Sequence, residues 1–364
     1  MSYDWFDLNR TDIWDFVMVS PQSLDQTYGT LQGVLLDDVS ITADYYTDAR
    51  TSASIKIRDD GQYIPYSFIR IIHRIPEWSY ENEIGTYIVS ANPSEYSDGA
   101  WITSFTLGSQ LDKAAFRLGN SPWTVSGGAN ALTALRQMME NCGFAYTELA
   151  PNDYKVNSTF VYETGESFLS RFYDLSNLSN NRLDVNGHGV ITISKYIAPK
   201  QRPAMYRLGL NDPHGIILNG VSVESDYINT PNECIVAYRF TYEEDDETYE
   251  AEMRSSARTT TGNSKNRIGY VISDFYEVTD ADDVSQEYLD KLANTRLESL
   301  QNNLVEWSLT CKYLPVWEGD IIELFVDSGP NGYSGSRHCL VKSVTIHPKD
   351  MTMNLTLKET NGVD

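Results

Sequence analysis

NALTALRQMMENCGFAY at residues 130–146 opens the stretch that decides the fold. It continues through ETGESFLSRFYDLS (163–176) to RLDVNGHGVITISKY (182–196). In the first part Ala131, Leu132, Leu135, Met138, Met139 and Cys142 recur at spacings of three and four. That spacing predicts a helix with one apolar face, stopped at Gly143. In the second part Phe168, Leu169, Phe172 and Leu175 repeat the pattern, with Thr164 as the predicted cap. The third part reads as a strand pair turning at Asn186–Gly187. A helix, short strand, helix and hairpin thus form an island in a chain that otherwise reads as strands.

The chain has 364 residues, enough for two to four domains of the usual ~100–200 residues. It is 41% hydrophobic and carries 24 Tyr, 12 Phe and 7 Trp, which favours half-buried pleated surfaces over a disordered acidic chain. With 28 basic and 51 acidic residues the net charge is −23, which argues against binding nucleic acid or anionic membranes by bulk attraction. The charge fits an ordinary soluble acidic protein, and equally a surface past which DNA slides without sticking. Cys142, Cys234, Cys311 and Cys339 form no CxxC pair and no zinc spacing, so all four read as small buried hydrophobes of a protein folded in a reducing cytoplasm. The N-terminus shows no signal-peptide pattern, and no apolar run approaches a membrane span.

Residues 1–112 read as an N-terminal β-barrel-like domain. Its strands include a core-facing run from Gly33 into Tyr46, an alternating run at 51–58, and runs at 68–75, 85–92 and 101–109. Ala53, Ile55 and Ile57 face one way; Ser54, Lys56 and Arg58 face the other. Residues 113–200 read as an inserted α/β domain, bounded by a linker at 113–129 and the APKQRP break at 198–203. Residues 201–364 read as a second β-barrel-like domain. It contains a long charged loop at 243–269, with an acidic hairpin tip at 243–250 and a basic mobile segment at 254–269. A helix at 285–304 follows, striped by Tyr288, Leu289, Leu292, Ala293, Leu297, Leu300 and Leu304 and started by Asp282, Asp283 and Glu287. Four strands then close the chain as a β-meander, the last with Met351, Met353, Leu355 and Leu357 on one face. The fold class is mainly β, a β-rich α+β chain.

No catalytic residue, cofactor-binding residue or metal ligand emerges. His73, His188, His214, His338 and His347 are scattered, and no phosphate loop or nucleophile elbow is present. The SGGAN lead-in at 126–130 is a flexible approach to a helix or an anion site at its amino end. Trp101, Trp123 and Trp317 read as core or interface residues, or as sugar-stacking platforms.

Taken with the C-terminal strands, the 130–196 stretch resembles the hub proteins of bacteriophage tails, related to the hub part of type VI secretion spike proteins. The resemblance rests on Leu132–Gly143, Phe144–Tyr146, Glu163–Phe172 and the Arg182–Ile193 hairpin, and on Tyr313–Ile322 with its Gly319–Asp320 pair. The Gly permits a turn there and the Asp can bond backbone where the strand starts. The resemblance implies two antiparallel β-barrel domains around the insert. It further implies a non-enzymatic structural virion protein: a homotrimeric hub at the distal end of the tail (tail tip or baseplate), assembled in the host cytoplasm. Implied partners are further copies of the chain, tail-tube and distal tail proteins, tail-tip, spike or fibre proteins and the tape-measure protein. DNA would pass only through an acidic channel, and no stable membrane association or cofactor is implied. A carbohydrate-binding adhesin is the alternative reading, and a glycan- or peptidoglycan-degrading enzyme a more distant one, because no particular carboxylate pair is marked.

Overall fold

The computed structural model describes residues 5, 10–59, 61, 63–148, 154–156, 159–211, 215–218, 220–244, 247–260, 262–278, 284–301, 305–329 and 334–360. The chain is mainly β, and most strand pairs are antiparallel. Fourteen strands form one continuous sheet. It begins at Thr27–Thr30 and runs through Ile13–Val19, Phe68–Ile75, Tyr80–Ala91, Ala100–Gly108 and Thr51–Asp59 to Ser40–Asp44. There it crosses to the C-terminal half: Ser40–Asp44 pairs with Gly335–His347, followed by Thr352–Glu359, Val305–Lys312 and Ser222–Ser225. Among the described residues the pairings branch, but no ring of them closes.

The crossing depends on one long strand. Gly335–Leu340 pairs with Ile321–Val326, and Ser343–Ile346 pairs with Ile41–Asp44. Between them a bulge between Val341 and Ser343 shifts the register. The bulge bends the strand, so its two ends serve two different neighbours. The side chains beneath make one core from both halves, including Ile41, Ile55, Phe105, Trp307, Val344 and Leu355. Alternation in the sequence accounts for these faces. Ala53, Ile55 and Ile57 are buried, as are Met353, Leu355 and Leu357, while Arg58 and Asn354 are exposed.

The four C-terminal strands are not the simple meander expected. Ile321–Val326, Gly335–His347 and Thr352–Glu359 follow one another, but Val305–Lys312 lies beside the last strand. Trp307 explains that placement. It is buried in the common core, and its indole Nε1 donates to Glu359 Oε1 at 2.7 Å. Met351 stands just before its strand with φ of 50°, so the buried row begins at Met353. The expected strand from Gly33 is also shorter. Val34 makes only an isolated bridge to Ile57, Leu36–Asp38 forms a 3-10 turn, and the regular strand starts at Ser40.

The insert has its own apolar cluster. Helices Ala131–Asn141 and Phe168–Leu178 bury Leu135, Met139 and Phe172 over the hairpin residues Leu183, Ile191 and Ile193. The cap of the second helix is Ser167 rather than Thr164. Its Oγ accepts from the Ser170 amide at 3.1 Å, whereas Gly165 takes a positive φ in the turn before it. Cys142 also departs from expectation: it is the C-cap and only half-buried, while Cys234, Cys311 and Cys339 are buried. The expected linker at 113–129 contains the helix Asp112–Phe116 and the strand Trp123–Val125, which pairs with Phe160–Tyr162.

The segment 243–269 is a hairpin, not a long loop. Glu233–Glu244 pairs with Glu247–Arg258 along its full length, so Arg254 and Arg258 lie in a strand. Lys265–Ile268 adds a helical turn. The tip, 245–246, lies outside the described residues, as do His214, Asp282, Asp283 and Leu304. Ser273–Val278 adds a parallel third strand, and helix Gln286–Gln301 covers one face with Leu289, Ala293 and Leu297. Tyr288, expected in the buried stripe, is 47% exposed.

Because the two halves share one core, a cavity in it should destabilise both. Leu355→Ala is expected to cost about 2–5 kcal/mol. Urea unfolding should then shift in one transition for the Trp307 and Trp14 environments together; separate transitions would contradict a shared core.

Candidate functional site

The hairpin Asn181–Val185 and Ile191–Lys195 is the part of the insert that meets both halves of the large sheet. Its turn runs from Asn186 to Gly189, and Asn186 Oδ1 accepts from the Val190 amide at 3.0 Å. On the N-terminal side, Thr86 Oγ1 donates to Gly187 O at 2.8 Å. Arg70 Nη2 donates to His188 O at 3.2 Å, while its Nη1 bonds Glu83 at 3.0 Å and its Nε bonds Thr86 Oγ1 at 2.9 Å. The His188 ring lies between Glu83 and Asp25, each 3.0 Å from a ring nitrogen. A Cβ at Gly187 would stand 1.7 Å from Glu83 O, so only glycine allows this approach.

On the C-terminal side, the same hairpin carries Arg182 and Asp184 into a cleft of about 490 Å³ shared with Tyr45, Arg202, Trp317 and Glu318. Arg182 Nη2 donates to Asp184 Oδ1 at 2.9 Å, and its Nε lies 2.6 Å from Asp184 Oδ2 as an ion pair. Its Nη2 also reaches Glu318 Oε1 and Glu318 O, both at 3.3 Å, and its guanidinium lies 4.7 Å from the Tyr45 ring centre. Arg50 joins from the first half, 3.4 Å from Asp184. Arg202 Nη1 donates to Gly319 O at 2.6 Å. The Gly319–Asp320 pair behaves as its residue types suggest. Gly319 has φ of 85°, and Asp320 Oδ2 accepts from the Trp317 amide at 2.7 Å.

Burial pushes the Glu318 carboxyl from its ordinary 4.5 up to about 8, with Asp184 adding to the rise and Arg182 and Arg50 opposing it. Burial likewise raises Asp320. The Glu318 side chain is only 3% exposed and already faces Arg182. Asp184 is held by two arginines. These contacts tie the insert hairpin to Tyr45 and Arg50 of the first half and to Glu318 of the second.

A second cluster of polar groups is buried in the large core. His73 Nε2 lies 2.7 Å from Asp12 Oδ1, with Arg10 Nε on the other oxygen at 3.0 Å, beneath Trp14 and Tyr313. His73 is fully buried. The sequence showed none of these pairings, because their partners stand far apart along the chain. Among the described residues, no group of three His, Cys, Asp or Glu could hold a metal, and no helix is long and apolar enough to cross a membrane. The glycine-rich lead-in is internally satisfied. Gly128 N donates to Val156 O, Gly127 N to Thr159 Oγ1, and Asn130 Oδ1 caps the helix at the Thr133 amide. Of the tryptophans, Trp123 and Trp317 are partly buried, whereas Trp101 is 54% exposed with Tyr96 edge-on at 5.6 Å.

No protein-family model and no curated protein sequence matches the chain. Solved structures do. A tail protein from Neisseria meningitidis MC58 superposes with a TM-score of 0.67 at 14% identity, over 95% of this chain and 96% of that one. The 43 kDa tail protein of prophage MuSo2 from Shewanella oneidensis gives 0.67 at 10% identity, over 97% and 100%. The chain has the fold of phage tail proteins. The Francisella PdpA-VgrG complex also matches, with a TM-score of 0.57 at 8% identity, over 98% of this chain but 59% of that one.

Two tests address the seam. Gly187→Ala should push the turn away from Glu83 and expose the Gly187–Val190 amides to faster hydrogen exchange, leaving amides of the Thr352–Glu359 strand unchanged. For Glu318, the folded protein retains a proton between pH 4.5 and about 8 that the unfolded chain releases. Stability therefore falls as pH rises through that window. Glu318→Gln should flatten this slope in melting temperatures measured from pH 5 to 8; an unchanged slope would remove Glu318 as its source.

Proposed function

We propose that this chain is a structural tail protein: a homotrimeric hub at the distal end of a phage tail. The observation that carries this reading is the end-to-end match to whole tail proteins, since both chains are covered almost completely. The buried polar contacts of Arg182, Asp184 and Glu318 support it as well, because they fix how the insert meets the large sheet. In this reading the three-part division 1–112, 113–200 and 201–364 holds. The insert is a distinct unit with its own core, and the hairpin–helix unit around 233–301 decorates the third part.

Three copies, each with two sheet-forming halves, would present six comparable surfaces to a hexameric tail tube and three to a spike or fibre. The net charge of −23 suits a bore through which phosphates slide. Tail-tube, spike and tape-measure proteins would be the neighbours, and the site of action the virion. The chain would itself do no chemistry.

Native mass spectrometry should give a mass three times the 41.2 kDa chain, and electron microscopy a three-fold ring with an acidic bore. A monomer at all concentrations, also in the presence of tail-tube protein, would overturn the hub. The exposed Tyr96–Trp101 pair supports an adhesin reading instead. Saturable glycan binding lost in Trp101→Ala would favour that alternative.

A further inference from the structure

Arg171 is the most deeply buried cation of the insert, at 1% exposure. It lines a pocket of about 110 Å³ with Gly119, Ser121, Trp123, Met138 and Phe168. Its Nη2 donates to Glu163 O at 2.5 Å, but its buried Nε–H has no acceptor within bonding distance among the described residues. The Glu166 carboxylate stands 3.7 Å from Nε, on a side chain 43% exposed. A second guanidinium, Arg117, approaches Phe168 at 5.3 Å, as Arg171 does at 5.2 Å. Two cations therefore meet around one aromatic ring in a chain of strongly negative charge. Burying a guanidinium with its donors incompletely matched is costly, and a planar anion is the group whose geometry fits the fork.

We propose that this pocket binds a carboxylate group. Arg171 supplies the charge-assisted donors, Trp123, Met138 and Phe168 the apolar walls, and Ser121 a hydroxyl at the rim. The volume admits the end of an acidic side chain or a small free acid, but not a larger ligand. Leu118, 57% exposed and next in the chain to Gly119, offers an apolar contact to whatever carries the carboxylate. This site is independent of the trimer reading.

Calorimetry on the full chain tests it with acetate, the capped tripeptide acetyl-Leu-Glu-Leu-amide, and the same peptide with Gln for Glu. Acetate and the Glu peptide should bind saturably, with the Gln peptide at least about tenfold weaker. Arg171→Met should abolish binding. Ser121 is exposed, so Ser121→Asp will fold, and its fixed carboxylate at the rim should weaken both probes by about tenfold or more. A Glu peptide much tighter than acetate identifies a protein segment as the ligand; equal affinities identify a free acid. Absence of saturation by ~20 mM for both probes, or unaltered binding in Ser121→Asp, overturns the proposal.

Discussion

Everything in this molecule depends on the pairing of Ser40–Asp44 with Ser343–Ile346. It joins strands separated by some three hundred positions, and it turns two sheets into one. Such a long-range contact carries a large loop-closure cost in entropy, which local propensity cannot repay. The compensation comes from the core beneath it, where Ile41 and Val344 meet Phe105, Trp307 and Leu355. The bulge beyond Val341 makes the arrangement possible, because it lets one strand serve two neighbours.

The insert is held by a different force. Its helices pack on their own hairpin and make a core separate from that of the large sheet. Its placement is held by hydrogen bonds and ion pairs at both flanks of one turn, and by Tyr173, whose hydroxyl donates to Asp48 O at 2.6 Å. Buried ion pairs add little net stability, yet they penalise every misaligned alternative, since each would leave a desolvated charge unpaired. Glu318 shows the strain of the arrangement: burial lifts its carboxyl against the pull of two arginines.

Legibility in the sequence followed the range of the interaction. The two insert helices were readable from 3.6-residue spacing, and Gly143 marked the end of the first. The alternating runs at 51–58 and 352–358 declared their buried faces because period two needs no knowledge of partners. The cap was misplaced onto Thr164 because Ser167 and Thr164 are equally good caps by type; only the turn at Gly165 distinguishes them. The return strand 247–258 of the hairpin was obscured because its outer face is a ladder of Arg and Glu, including Arg239 with Glu252 and Glu277. Charges along that return strand resemble a solvated loop until its pairing is seen. The polar seam was invisible for a simpler reason: Arg182, Glu318, Arg50 and Arg70 look like ordinary surface charges one at a time.

By itself the sequence determined the class of this chain: an acidic, aromatic-rich β protein with a helical island and no assembled catalytic motif. These are properties of composition and short-range period, and they hold whatever the partners are. Tertiary structure alone decided that Val305–Lys312 lies beside Thr352–Glu359, that both halves share one core, and that Gly187 must be glycine. Those outcomes depend on which distant surfaces exclude water together, and no local pattern encodes the choice of partner.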